Sequence, residues 1–142
     1  MATTLLVAID FEEASRQAID YAKQLAAPLG ATLVLVHVYQ LPVYTYPGLE
    51  PNILPGFHQE VTVAARGALE QLAADVSVDR SMLREGDAAG EILAAARECH
   101  ASMIIMGTHG RRGLAHALLG SVAEKVIRQS DVPVLTLRTR AT

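Results

Sequence analysis

Four apolar runs without polar alternation most constrain how this chain can fold: Thr4–Ile9 (TLLVAI), Thr32–Val38 (TLVLVHV), Ser102–Met106 (SMIIM) and Val132–Leu137 (VPVLTL). A strand with one wet face alternates apolar and polar residues, whereas a strand covered on both faces reads as a continuous apolar stretch. The four runs are therefore expected to be buried strands of a parallel sheet, and Arg80–Glu85 (RSMLRE) is a weaker fifth candidate. Parallel neighbours need crossovers, and helical patterns lie between the runs. Glu12–Ala27 places Ala14, Ala18, Tyr21, Ala22 and Leu25 on one face, with Gly30 as a stop signal. Phe57–Asp75 brings Val61, Ala65, Ala68, Leu72 and Val76 together at spacings of three or four. Ala88–His100 groups Ile92, Ala96 and Cys99, and Ser121–Gln129 groups Val122, Val126 and Ile127. The order β-α-β-α-β-α-β-α-β predicts a three-layer α/β domain around a mostly parallel sheet.

The 142 residues fit one domain, 1–142, and no linker divides them. A chain of this length buries roughly 68–70% of its unfolded surface, so a core needs no metal or disulfide support. Cys99 is the single cysteine, which rules out an intrachain disulfide and suits a reducing compartment. MATTLLVAID has no basic leader region, and its apolar run stops at Asp10, so neither a signal peptide nor a membrane span is expected. The expected location is cytoplasmic. The net charge of −3 divides unevenly: residues 1–99 carry −7 and residues 100–142 carry +4. Without a broad basic stripe, nucleic acid is not an expected partner, and a small anion near the basic end fits better.

That basic end contains MGTHGRRGLAHALLGSVAEKVI, from Met106 to Ile127, with four glycines and two adjacent arginines. In an open parallel sheet, ligands sit at the carboxyl ends of the strands, where the strand order reverses. A glycine-rich segment running from such a strand into a helix can hold phosphate on backbone amides and a helix N-terminus. Gly107 and Gly110 allow close backbone approach and positive φ, Gly120 opens the helix, and Ser121 adds an amide and a hydroxyl. Arg111 and Arg112 add charge. Neither G-x-x-x-x-G-K-[ST] nor G-x-G-x-x-G occurs, which disfavours a Walker-type or standard dinucleotide site. The spacing present is G-x2-G-x9-G-S, formed by Gly107, Gly110, Gly120 and Ser121.

With that spacing, the chain resembles the universal stress proteins, in particular their ATP-binding branch with G-x2-G-x9-G-[ST]. The resemblance runs along essentially the whole sequence: a first strand ending in Asp10, LVHV, GTHGRRG, LLGSVAEKVI and DVPVLTLR. It implies a Rossmann-like (adenine nucleotide alpha hydrolase-like) fold with a five-stranded parallel sheet in the order 3-2-1-4-5. It also implies that ATP, ADP or AMP is bound, with Mg a possible companion of the nucleotide. Carried over position by position, it implicates Asp10, Val38, Gly107, His109, Gly110, Gly120 and Ser121, with Ala8, Met106, Arg111 and Val122 as neighbours. A homodimer through Val132–Leu137 and a stress-response regulatory or sensing role are implied as well. One departure stands out: many relatives have serine two residues after the first-strand aspartate, and here that position is Glu12, a carboxylate able to repel phosphate or help hold a cation.

Plainer readings stand beside these. Asp10-Phe11-Glu12-Glu13 has the form of a capping box with Asp10 as N-cap and Glu13 at N3. Ser121 and Glu124 form a second. His37, inside an apolar run, reads as a satisfied core histidine. His109 and His116 lack carboxylates at metal-ligand spacing. Tyr39–Gly56 holds four of six prolines and three of four tyrosines, and reads equally as a lid, a partner surface or a braced loop. No catalytic constellation is legible, so a slow ATP hydrolase or other nucleotide-processing enzyme is the alternative reading, and a ligand-free interaction protein a third.

Overall fold

The computed structural model describes residues 3–41, 56–78, 80–108 and 120–138. Its elements are β1 (Thr4–Ile9), α1 (Glu13–Leu29), β2 (Thr32–Tyr39), α2 (Phe57–Asp75), β3 (Arg80–Glu85), α3 (Ala88–Glu98), β4 (Met103–Thr108), α4 (Ser121–Gln129) and β5 (Val134–Arg138). The five strands form one sheet in the order β3-β2-β1-β4-β5, and every neighbouring pair is parallel. The chain moves outward from β1 through β2 to β3, then crosses back to β4 on the other side of β1. The strand order therefore reverses between β1 and β4.

Both faces of the sheet are covered, which explains the uninterrupted apolar runs. On one face Leu6, Ala8, Val34, Val36, Ile104 and Met106 pack with α3 and α4. On the other, Leu5, Val7, Ile9, Leu35 and Ile105 pack against Ala18, Ile19 and Ala22 of α1 and Leu69, Leu72 and Ala73 of α2. Small residues on α1 let that helix lie close to the strands. A close approach falls at Gly107, where an added Cβ would stand 2.7 Å from the backbone oxygen of Ala14.

Several boundaries and faces differ from the expectations above. β4 begins at Met103 and runs on through Gly107 and Thr108, because these pair with Leu137 and Arg138 of β5. Gly107 is thus a strand residue without positive φ, and its lack of a side chain serves helix packing. β5 begins at Val134 rather than Val132, because Ser130 closes a turn there: its Oγ donates to the Val132 carbonyl at 2.7 Å and accepts from the Val132 amide at 3.1 Å. α1 runs past Ala27 through Pro28 to Leu29, and α3 stops at Glu98. Gly30, at φ 60°, ends α1 with a Schellman pair: Gly30 N–H to Ala27 O and Ala31 N–H to Ala26 O. Tyr21 and Ile127 lie outside the buried stripes, each 43% exposed, while Ile19 and Ala123 lie inside them. On α2, Ala68 is exposed and Leu69 takes the buried position.

Candidate functional site

The carboxyl ends of β1 and β4 meet where the strand order reverses, and the starts of α1, α3 and α4 surround that end of the sheet. Ala8 pairs in register with Val36 on one side and Met106 on the other. Ala8, Met106, Val38 and Val122 share a single apolar cluster on the α3–α4 face. Four of the residues implicated by sequence are therefore brought together. Ala8 and Met106 are buried, while Val38 and Val122 are half-buried at its margin.

Gly120 and Ser121 stand at the start of α4, above the same face. Gly120 is the N-cap, with φ −63° and ψ 156°, extended backbone open to any residue. Ser121 is the first helical residue and is exposed, so the Ser121–Glu124 capping box does not form. Glu124 bonds Arg128 instead, at 2.7 Å. The leading amides of α4 thus have no side-chain cap from the N-cap position. His109, Gly110, Arg111, Arg112 and His116, with residues 42–55 of the proline-rich connection, lie outside the described residues.

Asp10 ends β1 and is exposed, but it does not cap α1. Glu12 occupies the N-cap position, without a side-chain cap bond, and Glu13 is the first helical residue rather than N3. The Asp10 carboxylate folds into its own turn: Oδ1 accepts from the Glu12 amide at 3.0 Å and from the Ser15 hydroxyl at 2.6 Å. The Asp10 amide in turn donates to Ser15 Oγ at 2.8 Å. Between them Phe11 takes φ 66°, a region that phenylalanine rarely occupies. Its ring packs on His37, with centroids 4.5 Å apart. His37 Nδ1 lies 2.9 Å from the Ile9 carbonyl, which can only accept, so Nδ1 carries the proton. His37 is thus the satisfied histidine expected, half-buried at the sheet's end. No sequence motif marks Ser15 or Thr108, and Phe11 enters the sequence pattern only as a spacer between Asp10 and Glu12. Ser15 had a signal: a lone hydroxyl on the helix stripe otherwise built from Ala14, Ala18, Ile19 and Ala22. Thr108, buried at the end of β4, donates to the Leu137 carbonyl at 3.2 Å.

The start of α3 is capped more conventionally. Asp87 Oδ2 accepts from the Gly90 amide at 2.9 Å and from Lys125 Nζ of α4 at 3.2 Å. The amide, and then the ammonium, hold the Asp87 carboxyl below its ordinary range. At the outer strand, Arg84 bonds Glu91 at 3.0 Å and also Glu98, and these carboxylates raise its already high pKa. Burial pushes the Cys99 thiol up, away from thiolate chemistry. No group of three potential metal ligands occurs among the described residues, and no helix there is long and apolar enough to cross a membrane. A cavity of about 270 Å³ lies at the opposite, amino-terminal end of the sheet between Leu93, His100 and Val132, and contains none of the residues implicated by sequence.

Comparison with known proteins bears on this arrangement. A universal stress protein of Thermus aquaticus is 34% identical over 139 residues, spanning 97% of this chain and 100% of the relative. The crystal structure of a universal stress protein family member from Burkholderia pseudomallei superposes with a TM-score of 0.64 at 34% identity, over 95% of each chain. A universal stress protein in complex with cAMP matches with a TM-score of 0.64 at 26% identity, over 98% of each chain. The model of the Universal stress protein family matches residues 1–138, and the chain belongs to that family.

Proposed function

We propose that this chain binds an adenine nucleotide, ATP with ADP or AMP as its relatives, and acts as a regulatory or sensing module in a stress response. The observation that carries the reading is that Ala8, Val38, Met106 and Val122 belong to one apolar cluster on the sheet face beside the strand-order reversal and the glycine-started helix α4. A planar base suits an apolar floor, and phosphate suits the leading amides of a helix without a side-chain cap. Asp10 supplies an acceptor for a nucleoside donor group at the mouth. Gly107 contributes by keeping α1 close to β4, and Ser121 by its amide and exposed hydroxyl. In this reading His109, Gly110 and Arg111 complete the phosphate side, and Mg accompanies the phosphates. The relative solved with cAMP lends support, since cAMP is itself an adenine nucleotide.

Isothermal titration with ATP, ADP, AMP, cAMP and NAD tests the reading. Saturable binding of at least one adenine nucleotide is expected, and heat from none of them removes the proposal. Gly120→Val sharpens the result. The backbone there suits any residue, so the fold should persist while the added branch crowds the phosphate approach. Affinity that survives this change puts the site elsewhere. We further propose a homodimer through the Val132–Leu137 segment, which includes most of β5, one of the two edge strands of the sheet, since an edge strand is a template for pairing. Sedimentation velocity should then return twice the 15.2 kDa mass of one chain, and a monomer would exclude it.

A further inference from the structure

A carboxylate at the end of a strand ordinarily rotates among several orientations, and its oxygens accept from water. Asp10 is held otherwise. Its Oδ1 receives two donors, the Glu12 amide and the Ser15 hydroxyl, and Ser15 Oγ also takes the proton of Asp10's own amide. Ser15 is 3% exposed, so water does not readily substitute for its hydroxyl. Its location is fixed by α1, whose Ala14 backbone lies against Gly107 of β4. Phe11 adopts its left-handed conformation within the same turn, and its ring rests on His37, itself bonded to the Ile9 carbonyl. Such strain persists only where the surroundings over-determine it. The turn therefore fixes the rotation of the carboxylate relative to the end of β1.

We infer that Ser15 is a positioning residue for the proposed nucleotide site: it orients the Asp10 carboxylate so that the site demands a hydrogen-bond donor from the nucleoside. The inference rests on the nucleotide reading above. An ionised carboxylate only accepts, so the matching group on the ligand is either the exocyclic amine of the base or a ribose hydroxyl. A site built around such a bond rejects an analogue lacking the donor, because the held acceptor is then left unmatched. If the carboxylate is released to rotate and hydrate, that rejection weakens.

The test compares ATP with inosine triphosphate, 2′-deoxyATP and 3′-deoxyATP by isothermal titration of the full chain. Wild type should disfavour the one analogue that lacks the donor Asp10 takes, which identifies that donor. Ser15→Ala should reduce this discrimination by roughly three- to tenfold, and Ser15→Thr, which keeps the hydroxyl, should restore most of it. Should Ser15→Ala fail to fold by circular dichroism, Ser15→Cys keeps the volume with a weak donor and is read in the same way. A merely structural role for Ser15 predicts equal weakening of all four nucleotides, and that result overturns the inference. Wild-type binding without discrimination also overturns it while leaving the nucleotide reading intact. Absence of wild-type binding to all four removes the reading itself, and this inference with it.

Discussion

The start of α1 and the start of α3 lie at the same end of the sheet, and each follows a strand with an aspartate close behind it. At α3 the chain passes through Gly86 at φ 138°, and Asp87 then caps the helix through the Gly90 amide. The unusual backbone is assigned to glycine, where it costs little. At α1 the unusual backbone falls on Phe11, a conformation costing about 1 kcal/mol or more. Its aspartate turns back toward Ser15, and the helix starts without a side-chain cap. One start is arranged for helix stability, and the other gives up a cap and accepts strain to hold a carboxylate still. Strained positions of that kind concentrate at functional sites.

The comparison breaks most readily at Gly107, which keeps α1 against β4. Gly107→Ala sets a Cβ within 2.8 Å of three atoms of Ala14, two of them backbone, so the helix must move. Urea unfolding should show a loss of about 1–3 kcal/mol. Because the displaced segment carries the Asp10–Ser15 turn, nucleotide affinity should fall with it. Full stability in the variant would mean that α1 is not pressed on β4 as described, and the turn at Asp10 would lose its support.

Much of the framework was legible because it depends on local pattern. β1, β3, α2 and α4 occupy the residues their patterns predict, and the order 3-2-1-4-5 is the one the family resemblance implies. Continuous apolar runs report two-sided burial directly, whatever the neighbours are. The end of β4 was less legible, because Gly107 is a weak strand former that interrupts the apolar run before Thr108, and both residues join the sheet by pairing with Leu137 and Arg138. The start of α1 departs from its pattern for a related reason. Asp10 and Glu13 satisfy the spacing of a capping box, yet spacing does not say where the helix begins. A left-handed Phe11 moves that start to Glu13, and no propensity favours a left-handed phenylalanine. Within the candidate site, the apolar residues Ala8, Val38, Met106 and Val122 are brought together, while Ser15 shows itself only once the turn is formed.

The smallest expected effect comes from Asp87, and it separates the two starts cleanly. Asp87→Ala removes the cap and the Lys125 partner together, so the thermal midpoint should drop by a few degrees while nucleotide affinity is unchanged, since α3's start serves stability alone. Asp87→Asn is subtler, because asparagine caps about as well as aspartate. Only the charge is lost, and with it the pH dependence. The folded carboxyl titrates below its ordinary value of 3.8 because the Gly90 amide and Lys125 favour the ionised form. Its contribution is therefore complete above that value and disappears as the pH falls through the lower folded pKa. Thermal midpoints recorded from pH 6 down to pH 2 should converge for wild type and Asp87→Asn at the acid end, with wild type ahead above about pH 4. The site is exposed, so the gap should be small and should narrow with added salt. A gap that persists at pH 2 would mean that Asp87 differs from asparagine by something other than its charge, which removes the Lys125 ion pair from the account of the α3 start.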